Sequence, residues 1–206
     1  MVTSRITGVL ALQGGYARHI DVLRKLGAEA REVRTRQDLA GCDSLIIPGG
    51  ESTVFTKFIT NADGTPNDLH SDLRSFALTR PVMGTCAGLI LLSENCGDNR
   101  VAPLGVLPVT VARNGWGRQT ESFIEKLDLN PEAGFKKNTA PFEAVFIRAP
   151  RILSIGPEVR ILASVSGRNG AAEPVMVAWK NILGLTFHPE LAVDDARIHE
   201  WFLSGF

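Results

Sequence analysis

The stretch Pro81-Val-Met-Gly-Thr-Cys-Ala-Gly-Leu-Ile-Leu-Leu92 decides the fold class of this 206-residue chain. Its first five residues read as a buried strand, its last four as part of an apolar helix, and Cys86 stands at the turn between them. Apolar strands of this uninterrupted kind are typical of a mostly parallel sheet that helices cover on both faces. We therefore expect an α/β fold whose functional groups lie at the carboxyl ends of the strands.

The segments before this stretch repeat the alternation of strand and helix. Apolar runs predict strands at Ile6–Leu12, Ala28–Val33 and Ser44–Ile47. Apolar residues at helical spacing predict helices at Tyr16–Leu26 and Asp68–Leu78. This half of the chain therefore favours a central sheet in which the strands are mainly parallel.

The second half of the sequence is more typical of antiparallel strands. Short apolar runs predict strands at Val106–Ala112, Ala144–Ile147, Ile161–Ser164, Val175–Ala178 and Ile182–Phe187, and a final helix is expected at Asp194–Ser204. The polar segments Asn61–Asn67 and Leu127–Pro141 read as exposed insertions rather than as domain boundaries. We expect one domain over residues 1–206, with a mixed, mostly parallel sheet flanked by helices.

Composition and charge exclude several classes of protein. The 22 Lys and Arg residues balance 22 Asp and Glu residues without a basic block, which argues against nucleic acid and anionic membranes as partners. The three cysteines show no C-x-x-C spacing, so we expect neither disulfides nor a metal site, and a cytoplasmic location. The longest uncharged run, Pro81–Ser93, is shorter than the roughly 18 residues of a membrane span.

The pentapeptide Gly84-Thr-Cys-Ala-Gly88 has the form of a nucleophile elbow. Small neighbours permit the sharp turn that projects a nucleophile above the sheet, and the positive end of the following helix would stabilise a thiolate. The alternative is an ordinary buried cysteine between glycines that permit close packing. Because a cysteine nucleophile needs a base, the histidines have to decide between these interpretations.

Three of the four histidines have simple interpretations as surface residues. His19 and His199 stand beside charged residues in predicted helices, and we expect both to be solvated. His70 follows a polar loop and is expected to be exposed.

The fourth histidine, His188, ends an apolar strand and precedes Pro189-Glu190. In an extended segment residues i and i+2 project to the same side, so Glu190 could fix the imidazole while its other nitrogen faces the thiol of Cys86. By itself His188 would more readily be interpreted as an ordinary strand-end histidine, with Glu190 as a helix-leading charge. The placement of both Cys86 and His188 at strand ends favours a triad.

Acyl chemistry also needs an oxyanion hole of backbone N–H groups. The amide of Ala87 is one candidate donor. The turn Pro48-Gly-Gly-Glu-Ser52 is another, and it leads into a helix that Ser52 or Thr53 could cap. The competing interpretation is a phosphate-binding turn, but the G-x-x-x-x-G-K-[ST] pattern is missing and the nearest lysine, Lys57, lies a helical turn further on.

Taken together, these motifs resemble the class I (triad) glutamine amidotransferases. The segments that carry this resemblance are Pro48-Gly-Gly-Glu-Ser-Thr53, Gly84-Thr-Cys-Ala-Gly88 and His188-Pro-Glu190. Three further segments resemble the glutaminase subunits of pyridoxal 5′-phosphate synthases within that group. They are Ala11-Leu-Gln-Gly14, Arg113-Asn-Gly-Trp-Gly-Arg-Gln119 and Phe146-Ile-Arg-Ala-Pro150. The resemblance runs from the first strand to the last helix and implies a single three-layer domain.

The resemblance implies hydrolysis of L-glutamine to L-glutamate and ammonia through a glutamyl thioester, without a cofactor. Cys86 would be the nucleophile, His188 would move the proton, and Glu190 would orient His188. The amides of Gly50 and Ala87 would hold the oxyanion. The substrate contacts carried over from the family are Gly50, Glu51, Ser52, Arg113, Ile147 and Arg148.

The resemblance also implies a protein partner. The ammonia would pass to a synthase subunit that makes pyridoxal 5′-phosphate, in a large ring-shaped complex, and we expect the turn Gln13-Gly14-Gly15 to form part of the docking surface. Two alternatives stay open at this point. The chain could be the glutaminase of another amidotransferase, such as the one that feeds imidazole glycerol phosphate formation, or a non-catalytic regulatory subunit.

Overall fold

The computed structural model describes residues 5–115, 122–130, 134–135, 140–167, 170–192 and 194–205. The first half of the chain alternates strands and helices. Its elements are β1 (Ile6–Leu10), α1 (Tyr16–Lys25), β2 (Glu29–Val33), α2 (Arg36–Ala40), β3 (Ser44–Ile47), α3 (Ser52–Ile59), α4 (Asp68–Thr79), β4 (Val82–Thr85) and α5 (Ala87–Leu92).

The second half is richer in strands. Its elements are β5 (Ser93–Asn95), β6 (Leu107–Ala112), β7 (Ser122–Leu127), β8 (Phe142–Ile147), β9 (Arg151–Ile155), β10 (Arg160–Ser166), β11 (Ala172–Trp179), β12 (Ile182–Leu185), a 3-10 helix (Pro189–Leu191) and α6 (Arg197–Ser204). Every strand and helix predicted from the sequence is present, with ends that differ by a few residues.

Among the described residues, the central sheet has seven strands in the order β10-β11-β12-β4-β3-β1-β2. Strands β12, β4, β3, β1 and β2 are parallel to one another, whereas β11 runs antiparallel to both of its neighbours. The prediction of a mixed, mostly parallel sheet is therefore confirmed. A three-stranded sheet, β5-β6-β9, and a two-stranded ribbon, β7-β8, stand beside it.

Helices cover both faces of the central sheet. Alternate strand residues point to opposite faces, so Leu10 and Val82 join one buried cluster while their neighbours Val9 and Met83 join the other. The first cluster is completed mainly by α3, α4 and α5, and the second by α1, α6 and β8. The result is the helix–sheet–helix arrangement expected from the uninterrupted apolar strands.

Besides the 3-10 helix, four elements among the described residues were not predicted: α2, β5, β7 and β9. Each is at most six residues long, too short for its periodicity to stand out, and β7 and β9 expose most of their side chains. The prediction that Asn61–Asn67 is an exposed insertion is confirmed. For Leu127–Pro141 it is wrong for Leu127, Leu129 and Phe135, which are buried against the second cluster, whereas the described residues 128, 134, 140 and 141 are exposed.

The helix after β4 lies unusually close to the sheet. A Cβ atom at Gly88 would overlap the main-chain carbonyl oxygen of Ile47 in β3, and one at Gly84 would lie 2.7 Å from the main-chain carbon of Gly88. Because main chain rather than a flexible side chain blocks the space, glycine is required at both positions for α5 to pack this closely. This contact sets the position of Cys86.

We expect Gly88→Ala to destabilise the protein by about 1–3 kcal/mol, because the added methyl group forces α5 away from β3. Urea unfolding measures the change. Gly41→Ala is the matched control, since its Cβ would contact only the mobile end of the Arg31 side chain and its φ is −89°. Equal unfolding free energies for the two variants would contradict this account of the packing.

Candidate active site

Cys86 occupies a strained turn at the carboxyl end of β4. Its φ of 50° lies in the left-handed region, which is rare for residues other than glycine. The turn is held by a hydrogen bond of 2.8 Å from the Cys86 amide to the carbonyl of Leu185 in the adjacent β12. Cys86 is 94% buried, and its sulfur lies 3.9 Å from the carbonyl oxygen of Ile147. This is the geometry expected of a nucleophile elbow.

The structure brings His188 and Glu190 to the same place. His188 follows β12, and its amide donates to the Val145 carbonyl of β8 at 2.9 Å. The His188 Nδ1 lies 2.7 Å from Glu190 Oε1. Glu190 sits in the 3-10 helix, not in the extended segment assumed from the sequence. The predicted contact nevertheless forms, because the single helical turn folds the carboxylate back onto the imidazole.

His188 and Glu190 each stabilise the charged form of the other. Burial lowers the pKa of His188, but hydrogen bonds to the Cys86 thiol and to Glu190, with their charges, outweigh it and raise the pKa to about 10. Burial raises the pKa of Glu190, but its interactions with the neighbouring rings of His19 and His188, including the hydrogen bond from His188, outweigh it and lower the pKa to about 2. At neutral pH His188 is therefore an imidazolium, and its hydrogen-bond partners are the Cys86 sulfur and the Glu190 carboxylate.

A cavity of about 170 Å³ opens in front of Cys86 and His188. All the predicted substrate contacts line it, namely Gly50, Glu51, Ser52, Arg113, Ile147 and Arg148. The Ser52 hydroxyl is buried and has no hydrogen-bond partner among the described residues. An orphaned hydroxyl in such a cavity is available to a bound polar ligand.

The predicted cap of α3 is wrong. The side chain of Glu51, and not of Ser52 or Thr53, accepts the hydrogen bond from the Thr53 amide. Ser52 cannot serve as the cap because it is the first residue within the helix. This arrangement holds the Glu51 carboxylate at the rim of the cavity.

Arg113 reaches the cavity held between two carboxylates. Its Nη2 lies 2.6 Å from Glu51 Oε1, and its Nη1 donates to Asp98 Oδ2. Asp98 also binds Arg100, whose hydrogen bonds, with those of Arg113, keep the pKa of the Asp98 carboxyl well below its usual range. Asp98 could not be predicted from the sequence, because no local pattern in the chain pairs it with an arginine 15 positions later.

Gln13 clamps the glycine turn opposite the thiol. Its amide nitrogen donates to the Glu51 carbonyl at 3.0 Å, and its amide oxygen accepts from the Glu51 N–H at 3.2 Å. Next to it, the Gly15 amide donates to the Gly49 carbonyl at 3.1 Å. The loop after β1 is thus bonded directly to the predicted oxyanion loop, a contact that the sequence analysis did not anticipate.

Two of the predicted contacts have special backbone positions. Ala87 is the first residue of α5, directly after Cys86, and is almost fully buried. The turn at Cys86 therefore fixes the position of the Ala87 main-chain amide, which is the group predicted to bind the oxyanion. Arg148 has a φ of 44° and is exposed at the end of β8. Residues 116–121, which include the last four residues of the Arg113–Gln119 segment, lie outside the described residues.

The predictions for the remaining three histidines are wrong. His19 and His199 are fully buried, and His70 is 8% exposed. His19 lies 3.2 Å from Glu190 Oε2, so the helix face that looked solvated in the sequence is in fact packed behind the active site. His70 is far from this cluster and its Nε2 lies 3.2 Å from the Pro103 carbonyl oxygen.

The described part of the chain has neither a cluster of metal ligands nor a membrane-spanning helix. No group of three or more His, Cys, Asp or Glu side chains there is placed to hold a metal ion. None of the described helices combines the length and apolar character that crossing a membrane requires.

Comparison with known proteins identifies one family. The model of the SNO glutamine amidotransferase family matches residues 9–206. A pyridoxal 5′-phosphate synthase subunit PdxT from Fervidobacterium nodosum is 42% identical over 199 residues, which are 96% of this chain and 95% of that protein. Another subunit of that name, from Thermoplasma volcanium, is 43% identical over 202 residues, which are 96% of this chain and 92% of that protein.

Solved structures agree with the sequence matches. One described as a glutamine amidotransferase superposes with a TM-score of 0.80 at 38% identity, covering 96% of this chain and 97% of that one. The PurLQS structure from Thermotoga maritima shares the fold alone, with a TM-score of 0.68 at 18% identity over 98% of this chain and 99% of that one. The glutamine amidotransferase fold predicted from the sequence is confirmed.

The raised pKa of His188 predicts a specific pH dependence of stability. In the unfolded chain the imidazole loses its proton near pH 6.5, whereas in the folded chain it keeps it until about pH 10. The stabilisation is complete below pH 6.5 and is lost as the pH rises toward 10. We expect the unfolding free energy of Glu190→Gln to fall less steeply over this range than that of the parent chain, because a group that raises the pKa is gone.

Urea unfolding at several pH values measures both slopes. Glu125→Gln, an exposed carboxylate in β7, is the control and should keep the parent's slope. Identical slopes in Glu190→Gln and the parent would show that Glu190 does not hold the proton on His188.

Proposed function

This chain belongs to the SNO family of glutamine amidotransferases, and on that premise we propose that it hydrolyses L-glutamine to L-glutamate and ammonia for a pyridoxal 5′-phosphate synthase. The convergence of Cys86, His188 and Glu190 on one cavity supports this activity most directly. The family match over residues 9–206 supports treating the whole chain as one glutaminase domain.

In the reaction we propose, the Cys86 sulfur attacks the carboxamide carbon of glutamine. His188 then donates its proton to the departing nitrogen, so that ammonia leaves and a glutamyl thioester forms. Water then attacks the thioester and gives a proton to His188, and glutamate is released as the C–S bond breaks, which restores the His188 imidazolium and the unprotonated Cys86 sulfur that began the cycle. Glu190 keeps the imidazole in the orientation that both proton transfers need.

The negative charge on the tetrahedral intermediate requires N–H donors close to Cys86. We assign this role to the amides of Gly50 and Ala87. Ala87 follows the thiol in the same turn, and Gly50 lies in the loop that Gln13 clamps through Glu51. A loop of consecutive glycines can reorient a peptide at little cost, so the donor at Gly50 can be brought into place when a partner binds.

The pair of charges at the cavity rim suits a zwitterionic amino acid. We assign the α-carboxylate of glutamine to Arg113, because a guanidinium can donate two hydrogen bonds to it, and the α-ammonium to Glu51, which lies 2.6 Å from Arg113. Ser52 supplies an unpartnered hydroxyl, and Ile147 and Arg148 also line the cavity. A ligand with one charge of each sign replaces the Arg113–Glu51 contact without leaving either charge unpaired.

We propose that the ammonia passes to a synthase subunit in a large ring-shaped complex. The names of the relatives from Fervidobacterium nodosum and Thermoplasma volcanium support a synthase partner. The turn Gln13-Gly14-Gly15 is our candidate docking surface, because Gly14 is exposed while Gln13 and Gly15 bond to the oxyanion loop. The free thiols of Cys42, Cys86 and Cys96 fit a reducing compartment, so we place the enzyme in the cytoplasm.

We expect Cys86→Ala to abolish the release of glutamate from glutamine, because no other nucleophile faces the carboxamide in this scheme. The measurement is glutamate release with the synthase subunit present. Cys42→Ala is the matched control, since Cys42 is buried in the core away from the cavity and should leave the rate unchanged. An unaltered rate in Cys86→Ala with an intact fold would remove the assignment of the nucleophile.

The same assay without the synthase subunit tests the role of the partner. If docking at Gln13-Gly14-Gly15 settles the Gly49-Gly50 peptide, the isolated chain should be much less active than the complex. Equal activities would overturn this part of the proposal while leaving the glutaminase reaction standing.

Asp98→Asn should raise the KM for glutamine by roughly threefold to tenfold with little change in kcat, because Arg113 loses one of the two charges that hold it at the cavity. Steady-state glutaminase kinetics separate the two constants. Asp63→Asn, in the exposed loop at 61–67, is the control. An unchanged KM would show that Asp98 does not hold Arg113 for the substrate.

A further inference from the structure

Two buried histidines stand behind the triad, one from each of two helices that are far apart in the sequence. His19 of α1 and His199 of α6 are both fully buried, and His19 Nδ1 lies 3.0 Å from His199 Nε2. The other ring nitrogen of His19, Nε2, lies 3.2 Å from Glu190 Oε2. This buried carboxylate oxygen makes no standard hydrogen bond among the described residues, because His188 uses Oε1, so the nearby His19 nitrogen is the group placed to satisfy it.

Burial favours the neutral form of both histidines. Burial lowers the pKa of His19, although the negative charge of Glu190 acts in the other direction. Burial and the neighbouring His19 lower the pKa of His199 to about 3. The titratable groups that act on the pair are Glu190 in the 3-10 helix and His188 at the end of β12.

A neutral imidazole has one N–H donor and one acceptor nitrogen, so the hydrogen bond between the two rings can run in only two directions. If His19 donates to His199, the lone pair of His19 Nε2 faces the Glu190 carboxylate and His199 Nδ1 carries an N–H. That N–H would be buried without a partner among the described residues. If His199 donates instead, His19 presents its Nε2–H to the carboxylate, and only an unprotonated nitrogen is left unpaired. The negative charge of Glu190 selects the second arrangement.

We propose that His19 is a positioning residue that donates its Nε2–H to Glu190 Oε2, and that His199 locks His19 in this tautomer. The inference rests on the proposed glutaminase function and extends the triad by two residues, in the order Cys86, His188, Glu190, His19 and His199. Glu190 is then held at both oxygens and presents a fixed acceptor to His188. The hydroxyl of Thr85, 3.4 Å from His19 Nε2, flanks the same N–H.

The tautomers themselves give the first test, and its outcome does not depend on activity. In the ¹⁵N-histidine NMR spectrum of the parent chain, His19 and His199 should both be neutral with the proton on Nε2 throughout pH 6 to 8. Assignment comes from spectra of the single-histidine variants. A proton on Nδ1 of His199, or a protonated ring for either residue in that range, would overturn the proposal.

The second test uses the complex with the synthase subunit and compares two replacements of each histidine. His19→Leu removes the donor and should lower kcat roughly 10- to 100-fold with KM within about twofold, because a buried hydrogen bond to a charged group is lost. The acid limb of the pH profile of kcat/KM should move to higher pH, since Glu190 binds a proton more readily without this donor. His19→Gln keeps an amide N–H for Glu190 and should recover most of the rate.

His199→Leu should likewise lower kcat, whereas His199→Gln, whose amide can donate to His19 Nδ1, should stay close to the parent. His70→Leu is the matched control, a buried histidine outside this cluster, and should leave the kinetic constants unchanged. A parent complex without glutaminase activity would refute the proposed function. An active parent whose Leu variants keep the parent's kcat and pH profile would refute only the roles of His19 and His199.

Discussion

The close approach of helix α5 to strand β3 is the constraint on which the active site depends. Only glycine at position 88 lets the helix backbone lie against the Ile47 carbonyl, and this packing forces the chain through a left-handed turn at Cys86. A hydrogen bond from the Cys86 amide to β12 stabilises this turn, and β12 is the strand that leads directly to His188. One packing contact in the core therefore places both the nucleophile and its base at the same edge of the sheet.

At this edge of the sheet, the charged side chains of the site lie next to side chains of opposite charge. The imidazolium of His188 lies against the Glu190 carboxylate, and the guanidinium of Arg113 lies between Glu51 and Asp98. Buried or half-buried charges are tolerated because each has a partner of opposite sign at hydrogen-bond distance. The two groups of charges have different functions. The His188–Glu190 pair stays together during the proposed reaction, whereas Arg113 exchanges its contact with Glu51 for contacts with the substrate.

Much of the fold and of the site could be predicted from the sequence, because the relevant signals are local. The apolar run before Gly84, the small residues around Cys86 and the sequence His188-Pro-Glu190 each report a strand end or a sharp turn within a few residues. Helix α2 and strands β5, β7 and β9 escaped prediction because they are short, and two of these strands are mostly exposed, so their apolar pattern is weak.

The sequence by itself determined the class of fold, the family and the residues that face the cavity, since periodicity and motif spacing depend on near neighbours in the chain. The tertiary structure alone decided what stands behind those residues. His19 and His199, 180 positions apart, looked solvated in their own helices, yet both are buried against Glu190. The role of Asp98 likewise depends on its hydrogen bond from Arg113, which forms only in the folded chain. Burial and hydrogen-bond partners depend on distances across the folded sheet, and no pattern along a single segment carries them.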